Sequence, residues 1–231
     1  MSKWSTIYRE QLAASGSLDS FILNKIGYKK KLISIVERYA NNNKTILEVG
    51  CGSGITSVYL SSLGYKAVGV DSDPDQIKLA RWIAKKKKCR ALFKIDDIRT
   101  LKHTKNHFDV IFSNGVMEHF SDAEIVAMVN LHLSTAKYVI ISVPSDYFTK
   151  KQRIFGNERF MNAERWRTIL SKTNSGRVKE FSFGAKKQSK KRDRSGNLLT
   201  REKTSFIGFI LHQNQPQLKN LKGRAVLKRA G

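Results

Sequence analysis

The sequence predicts an α/β fold in which helices cover both faces of a mostly parallel β-sheet. Five short apolar segments alternate with helical patterns between residues 44 and 143, a rhythm typical of parallel strands joined by helices. Two further apolar segments, at 177–183 and 205–211, bring the predicted sheet to seven strands. The chain of 231 residues is long enough to bury a core of this size.

Residues 1–43 are predicted to form a helical cap segment. Apolar side chains recur there at roughly helical spacing, at Phe21, Ile22, Ile26, Leu32, Ile33, Val36 and Tyr39. The run Asn41-Asn42-Asn43 then breaks the pattern. The sequence leaves open whether this segment covers a ligand, with Trp4, Tyr8 and Tyr28 contributing.

The alternating elements carry recognisable start signals. Strands are predicted at 45–49, 66–70, 91–95, 108–112 and 138–143, and helices at 54–63, 73–84, 121–133 and 162–173. Pro74 stands at a favourable first-turn position, and Ser121 with Glu124 forms a capping-box pattern. A long basic loop, about 184–203, is predicted between the last two strands, and residues 213–231 are predicted to form a flexible basic tail.

The charge balance restricts the partners of the chain. Lys and Arg number 43 against 19 Asp and Glu, a formal net charge of +24, and residues 150–231 hold 22 of these basic residues with only 5 acidic ones. Such a chain attracts polyanions, so nucleic acid, a phosphorylated substrate and an anionic surface are all to be considered. The alternative is that each basic run is a solvated face.

Cysteine usage and hydropathy exclude several classes of protein. Cys51 and Cys89 are too few for a disulfide framework or a cysteine-based zinc site, and they fit a reducing compartment. The longest apolar stretch, around 138–143, is far short of a membrane span, and the start MSKWSTIYRE has no apolar signal core. We therefore expect a cytoplasmic chain without a membrane span.

A glycine-rich turn follows the first predicted strand. Residues 48–54 read EVGCGSG, so a strand, a turn of bare backbone and a helix start come together where a ligand can approach closely. The dinucleotide fingerprint would require a third glycine at position 55, which is Ile55. The Gly-Lys-Ser/Thr of a phosphate-binding Walker loop is absent.

Four segments in a fixed order resemble the class I S-adenosylmethionine-dependent methyltransferases. They are ILEVGCGSG at 46–54, Asp71 at the end of the second strand, Asp96-Asp97 after the third, and FDVIFSNGVMEHF at 108–120. The resemblance covers 44–143 well and extends more loosely to about 211. It implies an S-adenosylmethionine-dependent methyltransferase domain over 44–212. The fold would be a Rossmann-like seven-stranded sheet whose last strand is antiparallel and inserted beside the fifth.

The resemblance also implies which residues hold S-adenosyl-L-methionine. Asp71 would accept from both ribose hydroxyls, Asp97 from the adenine amino group, and the glycine turn would approach the methionine part. The full expected set is Glu48, Gly50, Cys51, Gly52, Gly54, Asp71, Ser72, Asp97, Ile98 and Asn114. Two alternatives remain: Asp97 could cap a helix, and Glu48 could accept hydrogen bonds from loop amides.

Catalysis would depend mainly on alignment, because methyl transfer from a sulfonium is an in-line displacement with a good leaving group. A base is needed only if the acceptor atom must lose a proton, and His119, beside Glu118, is the predicted base. The alternative is that His119 only contacts the cofactor. The segment also resembles the E-x-x-E-H metal segment of small-RNA 3′-terminal 2′-O-methyltransferases and a related segment of ubiquinone-pathway O-methyltransferases. Asn114 here leaves N-x-x-x-E-H, and no metal is predicted.

The topology of the resembling family brings the basic loop and the loop after the fifth strand to the substrate entrance. An anionic acceptor is therefore expected, bound by Tyr147, Phe148, Arg153, Phe160, Lys187, Lys191 and Arg192; the aromatic residues could instead only pack the loop. Three functions are compared: a methyltransferase for a small anionic acceptor, one for RNA or a ribonucleoprotein that uses the basic loop and tail, and a non-enzymatic member that binds nucleic acid or a partner. No D/N-P-P-Y sequence of base-amino methyltransferases is present, which favours the first.

Overall fold

The computed structural model describes residues 3–104, 107–192 and 198–213. Its α-helices are α1 Lys3–Ala14, α2 Leu18–Tyr39, α3 Ile55–Ser62, α4 Pro74–Lys86, α5 Asp122–Thr135 and α6 Ala163–Leu170. Its strands are β1 Thr45–Val49, β2 Lys66–Asp71, β3 Leu92–Ile95, β4 Phe108–Asn114, β5 Ala136–Pro144, β6 Ser175–Arg192 and β7 Leu198–Gln213. The predicted positions of the first five strands are confirmed to within a few residues.

The strands form one seven-stranded sheet in the order β3-β2-β1-β4-β5-β7-β6. Strands β1 to β5 are parallel, and β7 runs antiparallel between β5 and β6. The predicted fold class and the position of the antiparallel strand are therefore confirmed. Because the carboxyl ends of β1 to β6 share one edge, the turns that follow them converge there.

Helices cover both faces of the sheet, as the pattern predicts. One apolar cluster joins α2, α3 and α4 to one face, and a second joins α5 and α6 to the other. In α2, Phe21, Leu32 and Val36 are fully buried, so this helix belongs to the core as well as preceding the first strand. The capping box of α5 is confirmed, since Ser121 N donates to Glu124 Oε2 at 2.9 Å and Glu124 N to Ser121 Oγ at 3.3 Å.

The predicted basic loop at 184–203 is wrong, because β6 and β7 continue as a long antiparallel hairpin. Strand pairing extends to Arg192 and Leu198, with an irregularity between Phe183 and Lys186 where Gly184 has φ +89°. This part of the hairpin extends beyond the part of the sheet that the helices cover. Its sequence therefore lacks the alternating apolar pattern by which a strand is predicted. Most of the predicted tail, residues 214–231, lies outside the described residues.

None of the helices within the described ranges has the length and apolar character needed to cross a membrane.

Candidate active site

A cavity of about 670 Å³ lies at the carboxyl edge of the sheet. Its walls come from α1 and α2, the glycine turn, the ends of β2 and β4, the loop after β5, and Phe206 in the middle of β7. Ligand sites of ~300–1,000 Å³ are usual for drug-sized molecules. The cavity therefore has room for a nucleoside-sized cofactor together with part of a second molecule.

The glycine turn forms part of the cavity floor. Gly50 and Gly52 both have positive φ, and a Cβ at Gly50 would lie 2.6 Å from Val116 Cγ2. A Cβ at Gly52 would lie 3.1 Å from the hydroxyl oxygen of Tyr8. The predicted residue Gly54 does not line the cavity: a Cβ there would meet the Phe93 ring at 2.5 Å, so it permits close packing of helix against strand.

Asp71 connects the end of β2 to the glycine turn. Its Oδ2 accepts from the Gly52 backbone N–H at 2.9 Å, and its Oδ1 accepts from the Asp73 N–H at 3.0 Å. Burial raises the pKa of Asp71 even though these backbone donors oppose the shift. Ser72 follows on the cavity wall. The carboxylate is thus fixed in orientation and keeps free lone pairs for a ligand.

Glu48 has a structural contact as well as a place in the cavity wall. It is buried, and its Oε2 accepts from both the backbone N–H and the hydroxyl of Ser57, at 3.0 and 2.7 Å. Burial raises its pKa, and the Lys29 ammonium partly offsets this. Glu48 thus accepts from the amide and hydroxyl of Ser57 in α3, and not from loop amides as the alternative expected.

Asp97 and Ile98 line the cavity beyond the end of β3. Asp97 Oδ1 accepts from the backbone N–H of Arg99 at 2.8 Å, and the Arg99 guanidinium donates to Oδ2 at 2.7 Å. The Arg99 hydrogen bonds lower the pKa of Asp97. Asp97 closes a turn rather than capping an α-helix.

Glu118 and His119 lie in a short 3-10 turn, Met117–His119, after β4. Burial, with a contribution from the charge of Glu158, raises the pKa of Glu118 to about 8. Glu118 Oε2 has no hydrogen-bond partner among the described residues, and Glu118 Oε1 lies 4.0 Å from His119 Nε2. The other ring nitrogen of His119, Nδ1, lies 2.9 Å from Asn157 Oδ1.

The comparison with the E-x-x-E-H segment requires a correction in spacing. The residue three positions before Glu118 is Gly115, which has no side chain to offer, and not Asn114. Asn114 instead lines the cavity, where its Oδ1 accepts from the Ser142 hydroxyl at 3.1 Å.

The predicted substrate residues divide into three groups. Phe148 and Phe160 line the cavity with ring centroids 5.5 Å apart. Tyr147, Arg153 and Lys187 do not line it: Lys187 Nζ lies 4.2 Å from the centroid of the Tyr147 ring, and Arg153 donates to the Gly156 carbonyl. The side chains of Lys191 and Arg192 lie outside the described part of the chain, although their backbone belongs to β6.

Sequence reasoning missed two lysines that line the cavity, Lys25 and Lys29 of α2. Lys29 Nζ donates to Thr56 Oγ1 at 3.0 Å, and Lys25 Nζ lies 5.1 Å from the Tyr8 ring centroid. Burial and the nearby Lys29 lower the pKa of Lys25 to about 8. Trp4, Tyr8 and Tyr28 also line the cavity, so α1 and α2 do cover it. Lys25 and Lys29 are one helical turn apart in the sequence, and this spacing was the signal that could have placed them together on one face of α2.

Comparison with known proteins decides the family. Residues 46–135 match the family model described as a methyltransferase domain. Residues 46–135 form a domain of the class I S-adenosylmethionine-dependent methyltransferases. The cofactor of this family is S-adenosylmethionine, and the glycine turn with the Asp71 carboxylate fits it.

Curated relatives match this chain over part of their length. The ubiquinone biosynthesis O-methyltransferase of Pelagibacter ubique is 30% identical over 122 residues, which is 47% of this chain and 50% of that protein. The norajmaline N-methyltransferase of Rauvolfia serpentina is 27% identical over 143 residues, 60% of this chain and 46% of that protein. The chain thus spans about half the length of these relatives.

Solved structures share the fold at low sequence identity. The magnesium protoporphyrin IX methyltransferase of Synechocystis with bound S-adenosylmethionine superposes with a TM-score of 0.57 and 17% identity, covering 92% of this chain and 98% of that one. The methyltransferase domain of a bacterial Hen1 superposes with a TM-score of 0.58 and 18% identity, covering 80% and 98%. At this identity the likeness concerns the fold alone.

Proposed function

We propose that this methyltransferase transfers a methyl group from S-adenosylmethionine to a small acceptor that carries an anionic group. One observation carries the proposal: a single cavity joins the glycine turn to an aromatic wall and to two lysines. None of the ion pairs between described residues involves Lys25 or Lys29.

The cofactor would lie along the ends of β1, β2 and β4. Gly50 and Gly52 leave room for the methionine part, since a Cβ at either would project onto Val116 or Tyr8. Asp71 would accept from the ribose hydroxyls because its orientation is already fixed by two backbone donors. Asp97 and Ile98 would receive the adenine. When bound, the cofactor supplies an electrophilic methyl group on a sulfonium.

The side chains around the acceptor position can orient it and receive its proton. Phe148, Phe160 and Phe206 form an apolar wall that holds an organic ring and excludes water. Where the acceptor atom is a hydroxyl, His119 would take its proton as the new bond to carbon forms. Glu118, with its raised pKa, stays protonated at neutral pH and does not compete for that proton.

The anionic group of the acceptor would be recognised by α2. Lys25 and Lys29 both line the cavity, and an anion between them would offset the burial and the Lys29 repulsion that lower the Lys25 pKa. Lys29 also stabilises the Glu48 carboxylate, and Lys25 Nζ donates to Gln11 Oε1 at 2.5 Å. A carboxylate or phosphate group on a ring would satisfy both the lysines and the aromatic wall.

A labelled-methyl assay tests this function. The protein is incubated with tritiated S-adenosylmethionine and a cell extract separated into RNA, protein and small molecules. Label is expected in the anionic small-molecule fraction, and Lys25→Met should reduce its rate more than Lys31→Met, an exposed control on the same helix. Label confined to RNA or protein, or equal rates for the two variants, would contradict the proposal.

A second function, methylation of RNA, is favoured by the hairpin of β6 and β7. This hairpin leaves the sheet at the cavity edge and carries Lys186, Lys187, Lys190, Lys191, Arg192 and Arg201. Phosphate contacts would give an affinity that falls steeply with salt. Filter binding of bulk RNA tests this, and no binding at ~0.15 M salt would exclude the RNA function.

A further inference from the structure

We propose that Asn157 is a positioning residue that holds His119 in the tautomer whose Nε2 is free to receive the acceptor's proton. The inference deepens the proposed function and rests on its assignment of His119 as the base. Asn157 lies on the loop after β5, 38 positions from His119, and its Oδ1 lies 2.9 Å from His119 Nδ1. Nothing in the sequence pattern places these two side chains together.

The contact determines where the imidazole carries its hydrogen. A carbonyl oxygen of an amide only accepts hydrogen bonds, so Nδ1 must be the donor. A neutral imidazole has one N–H, and Nε2 therefore keeps its lone pair. Nε2 lies 4.0 Å from Glu118 Oε1, and both residues line the cavity. When Nε2 takes the proton of an acceptor hydroxyl, Nδ1 keeps its own hydrogen. The hydrogen bond to Asn157 is therefore also present in the imidazolium form.

The loop that carries Asn157 is held by hydrogen bonds within itself and by one backbone hydrogen bond to the His119 turn. The Glu158 carboxylate accepts from the backbone N–H groups of Ile154 and Phe155, both at 2.8 Å, and of Gly156 at 2.9 Å. The backbone N–H of Arg159 donates to the Glu118 carbonyl at 3.0 Å. Because these bonds do not involve the Asn157 side chain, the loop should keep its conformation when that side chain is shortened.

The opposite amide orientation makes the inference falsifiable. If the Asn157 amide were turned, its NH₂ group would donate to Nδ1, and the imidazole hydrogen would move to Nε2. His119 would then face the cavity as a donor and have no lone pair for a proton. The two orientations predict opposite tautomers, and nitrogen NMR distinguishes them directly.

The test is ¹⁵N NMR of the full chain labelled at histidine, at a pH where His119 is neutral, with His119→Gln to assign the signals. The wild type should show a protonated Nδ1 and an unprotonated Nε2, and Asn157→Ala should lose this preference. Asn157→Asp should restore it, because a carboxylate oxygen also accepts from Nδ1. A wild type with hydrogen on Nε2, or an alanine variant that keeps the wild-type tautomer, would overturn the inference.

The NMR measurement needs neither cofactor nor acceptor, so failure of the positioning role can be distinguished from failure of the proposed function. A chain with the expected tautomer that transfers no methyl group would contradict the proposed function and leave the positioning role standing. An active chain with hydrogen on Nε2 would contradict the positioning role and leave the proposed function standing. A thermal unfolding midpoint for Asn157→Ala close to that of the wild type shows that the loop has kept its fold.

Discussion

Replacing Glu118 by Gln should stabilise the free protein, and the gain should grow as pH rises. Glu118 is buried, and its pKa is about 8 instead of 4.5. The folded state therefore holds the proton more tightly than the unfolded state. The contribution of the Glu118 proton to the free energy of unfolding is complete below pH 4.5 and is lost as pH rises through 8.

The size of the effect follows from the shift. Each pH unit in that interval costs about 1.4 kcal/mol, so the free energy of unfolding of the wild type falls by roughly 3 kcal/mol between pH 4.5 and 7 on this account. Gln has nearly the same shape as a protonated Glu and does not titrate. Glu118→Gln should therefore match the wild type near pH 4.5 and exceed its stability by roughly that amount at pH 7.

Urea unfolding at a series of pH values, followed by tryptophan fluorescence, measures this difference. Glu124→Gln is a suitable control because hydrogen bonds from Ser121 lower the pKa of Glu124. That carboxylate stabilises the fold above its unfolded pKa, so the stability difference between Glu124→Gln and the wild type should stay constant from pH 5 to 8 and should shrink only in more acidic solution. Parallel stability curves for Glu118→Gln and the wild type from pH 5 to 8 would refute the buried, protonated Glu118.

Two further changes test the packing around the site. Gly54→Ala should destabilise the chain by about 2–4 kcal/mol, because the left-handed backbone is strained and the new Cβ meets Phe93 and Ala80. Gly64→Ala shares the positive φ but has open space, so it should cost only about 1 kcal/mol, and equal costs in urea unfolding would contradict the packing role of Gly54. Ser121→Ala should remove the capping box of α5 and lower the free energy of unfolding by about 1 kcal/mol, whereas Ser134→Ala, exposed near the other end of α5, should cost less. Equal effects of the two serine changes on the unfolding midpoint would argue against the cap.

The parts of the fold that the sequence predicts well are those with a local physical cause. β1 and β4 are buried along nearly their whole length, so their sequences are mainly apolar. Ser121 and Glu124 satisfy each other within four residues. Asp71 and the glycine turn follow neighbouring parallel strands, and parallel strands bring their ends together.

The parts that the sequence does not predict depend on contacts between distant segments. Lys25 and Lys29 have the pattern of an exposed helix face, and only the position of α2 beside the glycine turn brings them to the cavity. Asn157 meets His119 through the folded loop after β5. His132 is fully buried on α5, where its Nε2 lies 2.9 Å from the Ile98 carbonyl oxygen.

Calorimetric titration of the protein with S-adenosylhomocysteine tests the central claim most directly, because it requires no knowledge of the acceptor. The account predicts saturable binding to one site and an affinity that is about 10- to 100-fold weaker in Asp71→Ala, since that change removes charge-assisted hydrogen bonds worth roughly 1.5–3 kcal/mol. Gly64→Ala, whose added Cβ would meet no atom within 4 Å, should bind S-adenosylhomocysteine as the wild type does. Absence of binding by the wild type, or unchanged binding by Asp71→Ala, would contradict the assignment of the glycine turn and Asp71 as the cofactor site.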